Sequence, residues 1–174
     1  MRRAAALLAL IAVTVLLAGF GENFPVPHEP DQIFYVQRSL NSNTIVFAAR
    51  RDAAGGLDAR QPVDVYWRRY NDDGARKELS GIERSLAFGV KVDPVAGLPG
   101  SFMVRVVSYP NRPALLQLAD GAPRLEMKVA GEPSRLDHAY LEVDDSGSVP
   151  SVQRVHLFGY SLATGKPVTE SFIP

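Results

Sequence analysis

Two of the three histidines in this chain, His138 and His156, fall in the same predicted hairpin. If that hairpin is symmetric about Gly147, the two imidazoles lie directly opposite each other, with Cβ atoms about 5 Å apart. Imidazoles at that spacing can share a zinc or copper ion, and Glu170 or Glu142 could complete the ligand set. The alternative is two ordinary histidines on a polar sheet face, and a register slip of one residue would put them on opposite faces.

A basic cluster offers a different chemistry, because guanidinium groups bind carboxylates and phosphates through paired N–H groups and stack on rings. Tyr66 and Tyr70 flank Arg68 on one face of a predicted strand. The sequence therefore predicts a ligand-binding surface for a carboxylate, a phosphate or a sugar. Its predicted contacts are Arg38, Asn41, Tyr66, Arg68 and Tyr70. Replacing Arg68 with alanine is then expected to abolish ligand binding and to leave the melting temperature nearly unchanged.

A purely structural interpretation of the same cluster is open. Glu78 and Glu83 could pair with the arginines and hold a short helix on the sheet, since ion pairs without a function are common. Asn41 and Asn43 could likewise cap a turn, because asparagine side chains often bond to the backbone two residues ahead.

Catalytic motifs are absent: the chain has no HExxH, no phosphate-binding glycine loop and no dinucleotide fingerprint. The stretch 159–163, GYSLA, has the outline of a nucleophile elbow, but no βαβ pattern surrounds it and no histidine follows Ser161. The sequence therefore predicts no cofactor and no identifiable reaction. The enzyme alternative is a metal-dependent or hydrolytic activity that uses His138 and His156.

One short helix is predicted after a turn of the chain at residues 71–74. Ser80 and Glu83 match a capping box, in which each side chain bonds to the backbone N–H of the other residue. Ile82 and Leu86 lie four residues apart, so we expect them to pack the helix on a sheet. Gly89 stands where a helix commonly ends in a left-handed residue.

The rest of the chain alternates apolar and polar residues in short runs separated by turn-forming residues. This pattern predicts a mainly β fold, a single antiparallel β-barrel or sandwich of about nine strands with one short helix. The predicted strands are residues 33–38, 44–50, 63–70, 102–109, 114–118, 124–129, 136–143, 152–160 and 168–173.

The N-terminal residues 1–21 have the pattern of a secretory signal peptide, with Arg2 and Arg3 before an uncharged apolar run. The run is as long as the shortest membrane-spanning helices, so an uncleaved anchor is the alternative. Phe20 stands where a lipoprotein carries its acylated cysteine, which excludes that anchor. We expect an extended leader at residues 22–31, one β domain at 32–174, and a periplasmic or secreted location.

Composition narrows the possible partners. The chain contains 19 basic and 19 acidic residues, and removal of Arg2 and Arg3 leaves a small acidic excess. This balance argues against nucleic-acid binding, which needs a basic surface. The chain has no cysteine, so disulfides and thiol chemistry are excluded. We expect a monomer whose partner is a small ligand or a component of the cell envelope.

Three stretches together resemble a known family: YVQRSLNSNTIVF, VYWRRYNDDGARKELSGIERSLAFG and GYSLATGKPVTESFIP. With the isolated VSY at 107–109, they are similar to the bacterial family of exported proteins called domain of unknown function 4833. The matching positions are Arg38, Ser39, Asn41, Asn43, Tyr66, Trp67, Tyr70, Gly74, Glu78, Leu79, Ile82, Arg84 and Gly89. Phe88 departs from the family's tyrosine. The resemblance implies an exported domain and supplies no activity, so a purely structural envelope protein is a further alternative.

Overall fold

The computed structural model describes residues 24–147 and 150–174, so the predicted signal peptide lies outside the described part. None of the helices in that part is long and apolar enough to cross a membrane. The elements, in chain order, are β1 (Gln32–Arg38), β2 (Asn41–Ala49), β3 (Val63–Arg68), β4 (Arg76–Glu78), α1 (Gly81–Leu86), β5 (Val90–Pro94), β6 (Phe102–Val106), β7 (Ala114–Ala119), β8 (Ala122–Val129), β9 (Glu132–Asp144), β10 (Ser151–Ser161) and β11 (Pro167–Phe172).

The strands form one sheet that is curled into an open half-barrel, with the order β4-β3-β2-β1-β9-β8-β7-β6-β5 along its main path. Strand β10 pairs with the other side of β9, and β11 pairs with β10. The sheet thus has two wings, β1–β4 and β5–β8, and β9 belongs to both. The first part of β9 pairs with β8 and its later part pairs with β1.

The core lies on the inner face of this curled sheet, where alternate residues of both wings meet. Fully buried side chains on this face include Ile45, Phe47, Val65 and Leu116. Their positions follow the strand period of two, which places every second side chain on the same face. The buried residues of these strands therefore follow the alternation that the sequence pattern predicts.

The outer face of β1–β3 is also covered. Val46, Ala48 and Tyr66 form a small buried cluster there. Residues 24–31, the expected leader, lie against this face: Pro27 is fully buried, and the Pro25 carbonyl accepts a hydrogen bond from Gln37. The segment before the first strand therefore forms part of the packed structure.

All nine predicted strands are present, with ends that shift by a few residues, and the one short helix is confirmed. Two strands were missed. β4 has three exposed residues, and β5 is a strand of five residues that ends at Pro94. Both exist because they pair with a neighbour, a property that local pattern does not report. The prediction of an all-antiparallel sheet is wrong at one place, because β1 and β9 are parallel. A closed barrel or sandwich is not confirmed.

The helix α1 has the predicted capping box, since the Ser80 hydroxyl accepts from the Glu83 N–H and the Glu83 carboxylate accepts from the Ser80 N–H. The predicted packing is wrong: Ile82 and Leu86 are 73% and 72% exposed. The helix is instead fixed by its flanks, where Leu79 is buried. The role assigned to Gly89 is also wrong, because it is not left-handed; a Cβ there would lie 1.8 Å from the Arg84 carbonyl oxygen.

Candidate functional site

The five residues of the predicted binding surface are divided between the two faces of the sheet. Tyr66, Arg68 and Tyr70 share the outer face, as strand alternation predicts. Arg38 lies on the inner face, with its guanidinium carbon 4.6 Å from the centroid of the Trp67 ring. Asn41 goes with Arg38, because its side-chain oxygen accepts a hydrogen bond from that guanidinium at 3.5 Å. The structure therefore does not bring these residues together as one surface.

The outer-face group is built around one carboxylate, Glu29. Arg68 donates two hydrogen bonds to it, from Nε at 2.5 Å and from a terminal nitrogen at 2.6 Å. This bonding to Arg68 lowers the pKa of Glu29, against an opposing effect of burial. Arg76 covers the Tyr66 ring at 3.9 Å, and burial raises the pKa of that phenol to about 12. The charged groups of the outer face are therefore paired or stacked with other residues of the fold.

The two asparagines of the first hairpin act as turn caps. The side-chain oxygen of Asn41 accepts from the Asn43 N–H at 3.0 Å, and that of Asn43 accepts from the Asn71 N–H at 2.9 Å. The first bond lies within the hairpin turn, and the second joins that turn to the turn after β3. These bonds agree with the structural alternative that the sequence left open.

A cleft of about 420 Å³ lies between the end of β1, the start of β2, the end of β3, strand β4 and the start of α1. We call it the arginine cleft. It contains three cationic side chains, two acidic ones, an indole ring and two neutral polar groups. Its lining residues are Arg38, Asn43, Trp67, Arg69, Lys77, Glu78, Ser80 and Glu83.

Arg38 is the unusual member of this cleft. In the described residues it forms no ion pair, and its buried Nε has no hydrogen-bond partner. Burial lowers the pKa of Arg38, although the Glu83 carboxylate nearby raises it. A buried guanidinium without a carboxylate costs free energy, because its hydration is lost and not replaced. The Trp67 ring below it compensates only through stacking.

Arg69 shows the same feature. Its terminal nitrogen forms an ion pair with Asp72 at 2.5 Å, but its Nε is buried and, within the part of the chain that the structure describes, has no partner. Two guanidinium groups of one cleft thus each carry an unsatisfied, buried N–H donor. Such donors are rare in folded proteins and are a reason to expect a bound acceptor.

The indole ring is held in place from the helix side. Trp67 Nε1 donates to the Glu83 carboxylate at 3.2 Å, and the same carboxylate accepts from the Ser80 N–H at 2.7 Å. Burial raises the pKa of Glu83, but the hydrogen bonds from Ser80 and Trp67 outweigh it and leave the pKa below its ordinary value. Glu83 is therefore ionised at neutral pH, and its charge fixes Trp67 beside the arginines.

The predicted pairing of acidic residues with the arginine group is observed in part. Glu78 pairs with Arg76 at 2.7 Å and with Arg84 at 3.4 Å. Glu83 bonds to Trp67 and Ser80 as described above. In the described chain, neither carboxylate forms an ion pair with the cleft arginines, Arg38 and Arg69.

The histidine pair does not have the predicted register. In the hairpin of β9 and β10, His156 is opposite Tyr140 and His138 is opposite Phe158, so the two histidines are offset by two residues. Direct opposition of the imidazoles is wrong. His138 is instead stacked between Tyr35 and Phe158. Residues 24–147 and 150–174 contain no group of three or more His, Cys, Asp or Glu side chains that could hold a metal ion.

His156 takes part in a hydrogen-bonded chain that the sequence did not reveal. Its Nδ1 lies 2.7 Å from the Ser171 hydroxyl and its Nε2 lies 2.7 Å from the Glu142 carboxylate. Serine hydrolases use these three groups with the two ring nitrogens in the reverse roles. His156 is 5% exposed, and neither the arginine cleft nor the apolar cavity described below is lined by Ser171. These hydrogen bonds link the three neighbouring strands β9, β10 and β11.

Trp67 and Arg69 line the cleft, but neither is among the site residues that the sequence predicts. Strand alternation could have placed Arg69 on the face of Trp67, two residues away. The position of Arg38 above that ring needs the pairing of three strands, which single-strand patterns do not give.

The fold and cleft define a class: a mainly β domain whose curled sheet carries a small polar cleft at one end of its inner face. Residues 34–171 match the family described as Domain of unknown function (DUF4833), and the chain belongs to that family. No curated protein and no solved structure matches the chain at a significant level.

Proposed function

We propose that the protein binds a small organic anion, with a carboxylate or phosphate group, in the arginine cleft. The observation that carries the proposal is the pair of buried, unpartnered Nε–H groups of Arg38 and Arg69 within the described residues. A guanidinium offers donors in a planar fork that fits the two oxygens of an anion. The cleft volume of about 420 Å³ is in the range of small-molecule sites.

Each cleft residue has a role in this proposal. Arg38 and Arg69 contact the anionic group, and Lys77 adds positive charge at the rim. Trp67 supplies a flat apolar surface for the carbon part of the ligand. The carboxylate of Glu83 accepts hydrogen bonds from Trp67 and Ser80, and in the described residues it forms no ion pair with Arg38.

The test is isothermal titration calorimetry of the purified chain with succinate, inorganic phosphate and glucose. We expect one of the two anions to bind with a stoichiometry of one, more weakly at high salt, and glucose not to bind. Arg38→Gln should weaken anion binding about ten- to a hundredfold, the equivalent of one charge-assisted hydrogen bond. Arg69→Gln should do the same.

Arg124→Gln is the matched control, since Arg124 is paired with Asp120 on a distant hairpin and should not alter binding. Equal affinity in wild type and Arg38→Gln would disprove the role of the cleft. If only glucose binds, the ligand of the cleft is neutral and the proposed anion is wrong.

We also propose that the protein is exported and acts outside the cytoplasm, on a small ligand or an envelope partner. The proposal is supported by the signal-peptide pattern of residues 1–21. The mass of the protein purified from its own cells tests it: a chain that begins near Glu22 means cleavage and release. A chain that retains Arg2 and Arg3 means that the anchor alternative is right.

A further inference from the structure

A second cavity lies on the inner face, between the two wings of the sheet. Its volume is about 320 Å³, and its lining is almost entirely aliphatic and aromatic. Apolar residues of both wings and of β9 and β10 contribute to it, among them Phe34, Phe47, Leu125 and Leu157. A close-packed protein interior leaves few voids larger than a water molecule. A space of this size, lined by core residues and open to solvent on one side, is therefore a feature that needs a reason.

From the size and chemistry of this space, we propose that the cavity is a binding site for an uncharged, apolar small molecule. Apolar cavities of about 150 Å³ take up benzene, so this larger space, open on one side, suits a ligand of about two to three aromatic rings or an equivalent hydrocarbon. Small-molecule sites commonly have an apolar lining with a few polar groups at one side. Here the exposed lining residues Ser108, Val152 and Pro174 mark the side that meets solvent.

The charge of the lining decides between a neutral and an anionic ligand. Arg112 is the one charged side chain among the described lining residues. Both of its terminal nitrogens bond to the Glu170 carboxylate, and its guanidinium covers the Phe172 ring at 4.6 Å. Bonding to Glu170 raises the pKa of Arg112, and bonding to Arg112 lowers that of Glu170. Arg112 is thus neutralised inside the fold, and an anionic ligand would lose its hydration without a partner.

The cavity is distinct from the arginine cleft. Trp67 lines the cleft and Phe88 lines the cavity, and these rings meet edge to face with centroids 5.6 Å apart. The two rings separate the polar space from the apolar one. The cavity proposal is therefore independent of anion binding, and each can fail alone.

A matched pair of fluorescent probes tests the proposal. N-phenyl-1-naphthylamine is neutral, and 8-anilino-1-naphthalenesulfonate has the same ring system with one sulfonate. We expect the neutral probe to bind with a stoichiometry of one and the sulfonate to bind at least about tenfold more weakly. Absence of saturable binding of the neutral probe, or equal binding of both, overturns the proposal.

Two substitutions locate the probe. Ala139→Phe and Ala114→Leu each add bulk to a buried residue of the lining, and either should weaken binding of the neutral probe at least about tenfold by filling the space. Ala48→Leu is the control for overpacking, because Ala48 is buried on the outer face, away from the cavity. Two readings overturn the proposal: unchanged affinity in a folded lining variant, and equal loss in Ala48→Leu.

A cross-test separates the two sites. Arg38→Gln should leave binding of the neutral probe unchanged, and Ala114→Leu should leave anion binding unchanged. If Arg38→Gln removes both activities, the two spaces form one site and the proposed separation is wrong.

Discussion

The two faces of the wing β1–β4 carry arginines in opposite states, with Arg69 directly after β3. On the outer face, Arg68 bonds to Glu29 through two nitrogens, and Arg76 pairs with Asp64 and Glu78. On the inner face, Arg38 and Arg69 have buried Nε atoms that no other described residue satisfies. Arginines of the same wing thus have paired guanidinium groups on one face and incompletely paired guanidinium groups on the other.

This difference separates structural from functional roles. A guanidinium that forms a complete set of bonds contributes to the fold, and its removal leaves its carboxylate partner unpaired. A buried guanidinium without a full set of bonds costs stability in the free protein. Such a cost is commonly retained where a ligand supplies the missing acceptor, which favours the arginine cleft over the outer face as the site.

The largest effect is expected from Arg68→Ala. The ion pair with Glu29 is mostly buried, with side chains 25% and 12% exposed, so its loss should lower the free energy of unfolding by about 2–3 kcal/mol. The contacts of Arg68 thus reverse the sequence-based expectation of an unchanged melting temperature. Chemical denaturation measures the effect, with the exposed pair of Arg124 as a control that should change by less than about 1 kcal/mol. If Arg68→Ala has normal stability but no longer binds the anion, Arg68 belongs to the binding site and the assignment of roles to the two faces is wrong.

A similar loss is expected from Gly89→Ala. The added Cβ would lie 1.8 Å from the Arg84 carbonyl oxygen, so the end of α1 must move, at a cost of about 1–3 kcal/mol. Because Ser80 and Glu83 line the arginine cleft, anion affinity should fall as well. Gly81→Ala at the start of α1 is the matched control, since a Cβ there meets no atom within 4 Å. Equal thermal stability of both variants would show that the close approach does not matter.

The acid dependence of stability should come partly from the outer face. Arg68 lowers the pKa of Glu29 below its ordinary value of 4.5. The stabilisation from this pair is therefore fully present above pH about 4.5 and is lost as the pH falls through the lowered pKa of the folded state. As the pH falls below about 4.5, wild type should therefore lose more stability than Glu29→Gln. Parallel pH profiles would contradict the role of the pair.

The smallest effect on stability is expected from Arg38→Gln. Removal of a partly unsatisfied, buried charge should leave the free energy of unfolding within about 0.5 kcal/mol of wild type, or raise it. Denaturation without ligand measures this directly. A loss above about 1 kcal/mol would mean that Arg38 is as structural as Arg68, and the contrast between the two faces would be lost.

Much of the fold could be predicted from local pattern. The nine strands follow from alternation, and the helix start follows from Ser80 and Glu83. The predictions that failed concern how one element packs or pairs with another. The pairing of Ser151 with Asp144 already differs by one residue from symmetry about Gly147, and the irregular pairing between Val152 and Arg154 shifts the register by one more. Ile82 and Leu86 have the spacing of a buried face, but the flanks of α1 hold it and leave them exposed.

For the candidate site, the sequence predicts which residues share a face within one strand but not which residues of different strands come together. Alternation correctly grouped Tyr66 with Arg68 and Tyr70, and it correctly turned Trp67 inward. Adding Arg38 to that group required the relative register of β1, β2 and β3. In the folded sheet Trp67 is opposite Ile45, and Ile45 is opposite Val36, which puts Arg38 on the Trp67 side. A set of basic residues close in sequence was therefore split between two surfaces.

The position of β9 has a consequence for how the chain folds. It is the strand that joins the two wings, yet it is made after the first eight strands. Until residue 144 has been synthesised, β1 and β8 each present an unpaired strand edge, the kind of surface that aggregates. Pairing of β1 with β9 closes a loop of about a hundred residues, and such distant contacts slow folding. Assembly of the half-barrel is thus a late event, and a chaperone that shields those two edges would be most useful before it.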